Sequence, residues 1–304
     1  MSIAETYRIE RELGLQQKRK FGRVFLVVQK SDLSKKFILK TLEKSTSNVH
    51  LQERLRNEAT FSFDHQQLPT VIQFEESETE ILLLLEHKEG LTLDVFWKSV
   101  RKKERIKTLK AVLHGLLPAL ETLKKQHIVH CDVKPSNILV CEEQGELEIH
   151  LIDFGLALNS QESETRKILF PLGFAAPELI LNQLNCVDHT TDLYALGITI
   201  WRIFAGKLPL THPNPSIFTN LQLVHPLPEH ENIPNDLVKI LNKMCLKHAF
   251  RTAPNLLPQQ EVIATLMRTN SLRFQHLTDV ITEVEKLEDR SWINTILSGI
   301  RGRN

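Results

Sequence analysis

His130-Cys131-Asp132-Val133-Lys134-Pro135-Ser136-Asn137, followed by what reads as a short strand and then by Asp153-Phe154-Gly155, is the stretch on which the reading of this chain turns. It puts a carboxylate, a cation and a carboxamide within six positions and a second carboxylate downstream. Phosphoryl transfer calls for such a set: a group that orients an attacking hydroxyl, a positive charge near the moving phosphoryl group, and oxygen ligands for Mg²⁺. Between the two pieces, Glu146 to Ile152 alternates and then turns apolar, as a strand does. Before them, Ile106, Leu109, Leu113, Leu116, Leu120 and Leu123 recur at three- and four-residue steps, which places one apolar face along a helix that Pro118 should kink.

Further out the pattern divides the chain. Phe37 to Leu39 and Ile81 to Leu85 are short apolar segments bounded by polar turns, expected to be buried strands, and Leu51 to Phe63 between them reads as one helix. After Glu178 most of the chain reads as helix, with Pro-rich connections around Pro209 to Pro234, and Leu193 to Gly206 reads as a buried core helix. The expectation is an α+β fold of two lobes, a small β-rich one and a larger α-helical one, with the break near Glu89-Gly90.

The two central pieces together resemble the catalytic loop and metal-binding turn of the protein kinase family, H-x-D-x-K-P-x-N and D-F-G. The resemblance implies a two-lobed kinase-like fold and supplies roles. Asp132 would orient the substrate hydroxyl, Lys134 would neutralise charge, and Asn137 and Asp153 would hold Mg²⁺. Phe37-Ile38-Leu39-Lys40 resembles the strand whose lysine holds the ATP phosphates, and Arg56-Asn57-Glu58-Ala59 the helix whose glutamate pairs with it. The span from Glu58 to His65 is short for the family, so the helix end or the loop after it should be short. Leu85 to Gly90 resembles the hinge, with Leu85 the gatekeeper and the backbone of Glu86 and Lys88 facing the adenine. Gly14 and Gly22 would cover the nucleotide. Ala176-Pro177-Glu178 closes the activation segment, and Asp192 resembles the family's buried helix aspartate. For the partner of Glu178 the expectation is Arg273 rather than Arg251, because Leu277, Val280, Ile281, Val284 and Leu287 follow Arg273 at helical spacing; residues 252–260 then form an insertion. The kinase domain would cover 7–288, lobes 7–88 and 89–288, with a short tail at 289–304. Tyr7-Arg8-Ile9-Glu10 and Arg273-Phe274-Gln275 resemble bacterial members.

Some positions depart from the family pattern. Six residues, Leu15 to Lys20, separate Gly14 from Phe21-Gly22 where the family has a shorter glycine-rich turn, and Lys18, Arg19 and Lys20 read as a solvated basic loop. Cys131 replaces the arginine that pairs with an activation-loop phosphate, which implies that loop phosphorylation is not the main switch. Pro171 resembles the tyrosine-specific branch, whereas Lys134 resembles the serine/threonine-specific one and, facing the transferring group, carries more weight. The expected function is therefore ATP- and Mg²⁺-dependent transfer to serine or threonine of a protein substrate. The alternative is a pseudokinase, a nucleotide-binding regulatory or scaffold module. His130 reads as a brace for the catalytic loop and Cys131 as a small filler.

Composition narrows the field. The 304 residues, 41% hydrophobic and 25% charged, suit a packed chain of one large or two ordinary domains. With 38 Lys+Arg against 37 Asp+Glu there is no global field to attract nucleic acid or an acidic membrane, so neither is expected as a partner. Four scattered cysteines and an N-terminus without an apolar h-region fit reduced thiols and a cytoplasmic location. Oligomeric state is not legible.

Overall fold

The computed structural model describes residues 2–14, 22–162, 170–248, 250 and 252–287; Lys18 to Lys20, Ser163, Thr165, Arg251 and the 289–304 tail lie outside them. A four-residue helix, α1 (Ile3–Thr6), opens the first lobe, fixed by reciprocal hydrogen bonds between Ser2 and Glu5. Five strands follow: β1 (Tyr7–Leu13), β2 (Arg23–Gln29), β3 (Asp32–Glu43), then after helix α2 (Val49–Thr60), β4 (Val71–Glu76) and β5 (Glu80–Glu86). They form one antiparallel sheet in the order β1-β2-β3-β5-β4.

Strand β5 is almost wholly apolar because both its faces are covered. Leu84 joins Phe25, Val27, Leu39 and Ile3 of α1 on one side, while Ile81, Leu83 and Leu85 meet Leu42 and Leu55 of α2 on the other. Lys40 sits on the α2 side, opposite Val24 and Leu83 in the ladder. Helix α2 starts at Val49 and stops at Thr60, short of the expected Phe63, because Phe61 turns extended and Phe61 and Phe63 pack towards Phe154.

In the second lobe β6 (Leu91–Thr92), α3 (Leu93–Ser99), α4 (Arg105–Lys125) and β7 (Ile128–Val129) precede the hairpin of β8 (Ile138–Glu143) and β9 (Glu146–Leu151), then β10 (Leu158–Asn159). The hairpin turns on Gln144-Gly145, both at positive φ, as a two-residue turn requires. Helix α4 continues through Pro118, and its Leu109, Leu113 and Leu116 are fully buried. After α5 (Pro177–Ile180), α6 (His189–Ala205) runs through the centre of the lobe with almost every residue buried. It is capped by Asp188 and stopped by Gly206 in the left-handed conformation.

The segment expected as Pro-rich connection, Pro209 to Pro234, contains a helix, α7 (Pro215–Val224), started by the Asn214 side chain accepting from the Ser216 and Ile217 amides, with proline at the first helical position. Helix α8 (Asn235–Met244) follows. Residues 252–260 lead through a single 3₁₀ turn, Pro254–Leu256, into α9 (Gln259–Leu272), so what stands before Arg273 is largely a helix. Helix α10 (Leu277–Glu285) returns Leu277, Val280, Ile281 and Val284 to the main core. No described helix is long and apolar enough to cross a membrane. All four cysteines are unpaired.

Candidate active site

The cleft between the lobes is lined from both sides by charged groups. On the sheet side Lys40 reaches α2: its Nζ donates to Glu58 Oε1 and Oε2 at 2.6 and 2.7 Å and lies 3.5 Å from Asp153 Oδ1. Glu58 is 2% exposed, whereas Glu53 on the same helix is exposed, which identifies the lysine's partner. Burial opposes charge on Lys40, yet Asp153 and Glu58 together outweigh it and raise its pKa, so the ammonium stays protonated. The same balance acts on Asp153: burial raises it, but Lys40, Arg54 and Lys134 hold it well below the usual carboxylate range.

From the other lobe comes the loop between β7 and β8. The Lys134 ammonium donates to both oxygens of Asp132, at 2.9 and 2.7 Å, and Asn137 Nδ2 donates to the Asp132 carbonyl at 2.9 Å and to its Oδ2 at 3.1 Å. Two non-glycine residues adopt left-handed backbone here, Cys131 at φ 61° and Asp153 at φ 69°. Each such conformation costs about 1–3 kcal/mol and survives only where the surroundings enforce it. The enforcement on Cys131 is visible: the amides of His130 and Cys131 donate to Asp192 Oδ2 and Oδ1 at 2.8 and 2.9 Å. Burial pushes Asp192 up to about 7 against the pull of those two donors.

His130 is a brace. Its Nδ1 accepts from the Asp132 amide at 3.2 Å, which leaves Nε2–H to donate to the Ile152 carbonyl at 3.0 Å. Burial lowers its pKa, keeping it neutral. Phe154 packs against His130 and Phe63, with ring centroids 4.6 and 4.8 Å apart, and is itself fully buried. The Cys131 thiol is buried, its pKa pushed well up by that burial, and it donates only weakly to the Val129 carbonyl.

In the first lobe, Gly14 and Gly22 stand on either side of residues 15–21 at φ 91° and 88°. A Cβ at Gly22 would fall 2.8 Å from the Thr41 carbonyl oxygen, so only glycine fits both its backbone and its space. Val24 pairs with Lys40 and Ile38 with Leu85, which sets these apolar side chains on the lysine's face of the sheet. The Glu86 and Lys88 side chains pair with each other at 2.9 Å.

Glu178 is sealed in the second lobe. Arg273 donates from Nη1 to Glu178 Oε1 at 2.7 Å and from Nη2 to Oε2 at 3.1 Å, both side chains with no exposure, and the Thr191 hydroxyl donates to Oε1. Two residues of α2 were not singled out from sequence. Asn57 Nδ2 donates to the carbonyls of Phe154, Gly155 and Ala157. Arg54 Nη2 donates to Asp132 Oδ2 at 2.9 Å and Asp153 Oδ2 at 2.8 Å. The signal that could have found Arg54 is its place four residues before Glu58, hence on the same helix face.

A family model described as "Protein kinase domain" matches residues 7–257. Among curated proteins the chain is 29% identical over 222 residues to smooth muscle myosin light chain kinase of Gallus gallus, covering 70% of this chain and 11% of that protein. It is 29% identical over 224 residues to serine/threonine-protein kinase SBK1 of Danio rerio, covering 71% and 55%, and 24% identical over 215 residues to serine/threonine-protein kinase D2 of Rattus norvegicus, covering 68% and 24%. The chain thus spans between about a tenth and about half of the length of these relatives. The match stops at residue 257, but α10 packs into the same core as α4 and α6, and Arg273 holds Glu178. With the lysine–glutamate pair, the Asp132 loop and the Asp153 turn converging on one cleft, and with a family match over most of its length, this chain belongs to the protein kinase family.

Proposed function

We propose that the protein transfers the γ-phosphoryl group of ATP to serine or threonine hydroxyls of a protein substrate. The observation that carries the reading is Lys40, bonded to Glu58 and within 3.5 Å of Asp153, directly across from the Asp132–Lys134 pair. That arrangement presents a fixed cation to a phosphate chain and a buried carboxylate to an incoming hydroxyl. Asp132 accepts the hydroxyl's hydrogen bond and aims its oxygen; Lys134, already on Asp132, lies where it can neutralise charge on the transferring group. Gly14 and Gly22 bracket the phosphates, and the backbone at Glu86 and Lys88 faces the adenine.

Asp153 and the Asn137 amide oxygen suit Mg²⁺, which takes one or two protein oxygens and completes its shell with phosphates and water. The fit has support in the charge already gathered there: a guanidinium rests on Asp153 and Asp132. Bound Mg²⁺ would supply charge neutralisation across the phosphates. The relatives named as serine/threonine-protein kinases and the lysine at position 134 support the choice of acceptor over tyrosine.

Incubating the purified chain with labelled ATP, Mg²⁺ and a generic protein substrate, followed by phosphoamino-acid analysis, should yield mainly phosphoserine or phosphothreonine. A predominance of phosphotyrosine overturns the acceptor assignment, and ATP binding without transfer makes the protein a nucleotide-binding regulatory module instead.

A further inference from the structure

Arg54 connects three elements that otherwise belong to different parts of the chain. It projects from the inward face of α2, one turn before Glu58, and its Nη2 donates to Asp132 Oδ2 and to Asp153 Oδ2 at 2.9 and 2.8 Å. Its stem runs over Gly155, where a Cβ would fall 2.4 Å from Arg54 Cγ, so the absence of a side chain at that position opens the path the arginine uses. Asp132 is fully buried and already neutralised by Lys134; Asp153 already faces Lys40. The guanidinium is therefore a further cation, placed on Oδ2 of both carboxylates and 29% exposed.

We propose that Arg54 is a built-in counter-cation on Asp153 that competes with a divalent metal for that carboxylate and must leave it for the metal to bind. The proposal rests on the reading of Asp153 as a metal ligand. A divalent ion on Asp153 Oδ2 and a guanidinium hydrogen-bonded to the same atom are like charges within a few ångströms, so each weakens the hold of the other. Arg54 can yield without loss of the fold, because its side chain is flexible and partly exposed while α2 stays anchored through Glu58 to Lys40 and through Asn57 to the backbone after Asp153. The consequence is a raised metal requirement: the site discriminates against low divalent concentrations by holding its own cation, and α2 is tied to both catalytic carboxylates until the metal arrives.

The test is direct metal binding by the full chain. Mn²⁺ is titrated with no more non-hydrolysable ATP analogue than protein, because free analogue itself chelates the ion, and free Mn²⁺ is read by electron paramagnetic resonance against a protein-free analogue titration, for wild type, Arg54→Gln, Arg54→Lys and Asp153→Asn. Arg54→Gln should bind Mn²⁺ about tenfold more tightly than wild type, the order expected from removing one screened like charge. Arg54→Lys, which keeps the charge, should stay within about threefold of wild type. In parallel, the metal-free melting temperature of Arg54→Gln should fall below that of wild type while its metal-induced rise is larger; a strut with no electrostatic role would change the first and not the affinity. Equal or weaker Mn²⁺ binding by Arg54→Gln overturns the proposal. Unchanged binding by Asp153→Asn overturns instead the assignment of Asp153 as the ligand, and separates that failure from this one.

Discussion

Two clusters of buried charge hold this molecule, and they are built to opposite ends. Glu178 and Arg273 face each other with no exposure on either side chain, and each guanidinium nitrogen makes one hydrogen bond: two to the carboxylate and one to the Leu246 carbonyl, with the Tyr194 ring centre 4.9 Å away. The cleft cluster has three cations, Lys40, Arg54 and Lys134, against three carboxylates, and all three cations remain between 20% and 29% exposed. A sealed, one-to-one pair can serve only the structure, since nothing can exchange with either partner. A half-open cluster of exchangeable cations holds Asp153 well below the usual carboxylate range while leaving its cations partly open to solvent. The difference separates a rivet from a site that can exchange charge, although both are ion pairs.

The sharpest way to break that comparison is to remove one cation from each cluster. Lys40→Met should lower kcat/KM by roughly a hundredfold to a thousandfold, the range seen when one preorganised electrostatic contact is lost. Because it leaves Glu58 without its cation its thermal midpoint should also fall, but by less than that of Arg273→Ala, since the Lys40 side chain is 20% exposed whereas Arg273 and Glu178 have no exposure. Arg273→Ala should do the reverse in kind, lowering unfolding free energy in denaturant melts by roughly 3–5 kcal/mol because it leaves Glu178 buried and unpaired. If Lys40→Met proves the less stable of the two, the assignment of the clusters is inverted.

A smaller effect sharpens the comparison at Asp192, which accepts from the His130 and Cys131 amides and holds the strained backbone of the loop that carries Asp132. Burial lifts its pKa from 3.8 to about 7. An acid raised on folding contributes most at low pH and loses that contribution as pH rises through the folded value. The unfolding free energy of wild type minus that of Asp192→Asn should therefore fall between pH 4 and pH 7, by at most ~1.4 kcal/mol per pH unit, and level off above. A difference that stays flat across this window means that the two amide donors keep Asp192 ionised throughout.

The smallest effect is expected at the activation segment. Ser160→Ala, Ser163→Ala and Thr165→Ala together should leave activity within a few-fold of wild type, because Cys131 is a buried thiol that cannot grip a phosphate. A loss of two orders of magnitude would show that another cation reads phosphorylation of this segment.

What could be read from the sequence followed its chemistry closely. Asp132, Lys134, Asn137 and Asp153 fall in short runs whose spacing carries their meaning, and Arg273 was identifiable because a helical repeat follows it. Helix α7 was hidden by the prolines around it, although Asn214-Pro215 is a cap followed by a first-turn proline. Arg54 was hidden for a different reason. Its two partners lie 78 and 99 residues away, and a charged residue on a polar helix reads as solvated until the tertiary fold brings the carboxylates over it. The same holds for Asn57, whose carbonyl partners exist as a group only once the chain turns after Asp153.

The central claim is that the half-open cluster performs phosphoryl transfer, and Asp153 tests it most directly, because asparagine there keeps the shape and removes the charge. Single-turnover transfer from labelled ATP should be rapid in wild type and about a thousandfold slower in Asp153→Asn, with the two proteins melting within a few degrees of each other. Near-normal transfer by a folded Asp153→Asn protein would contradict the account.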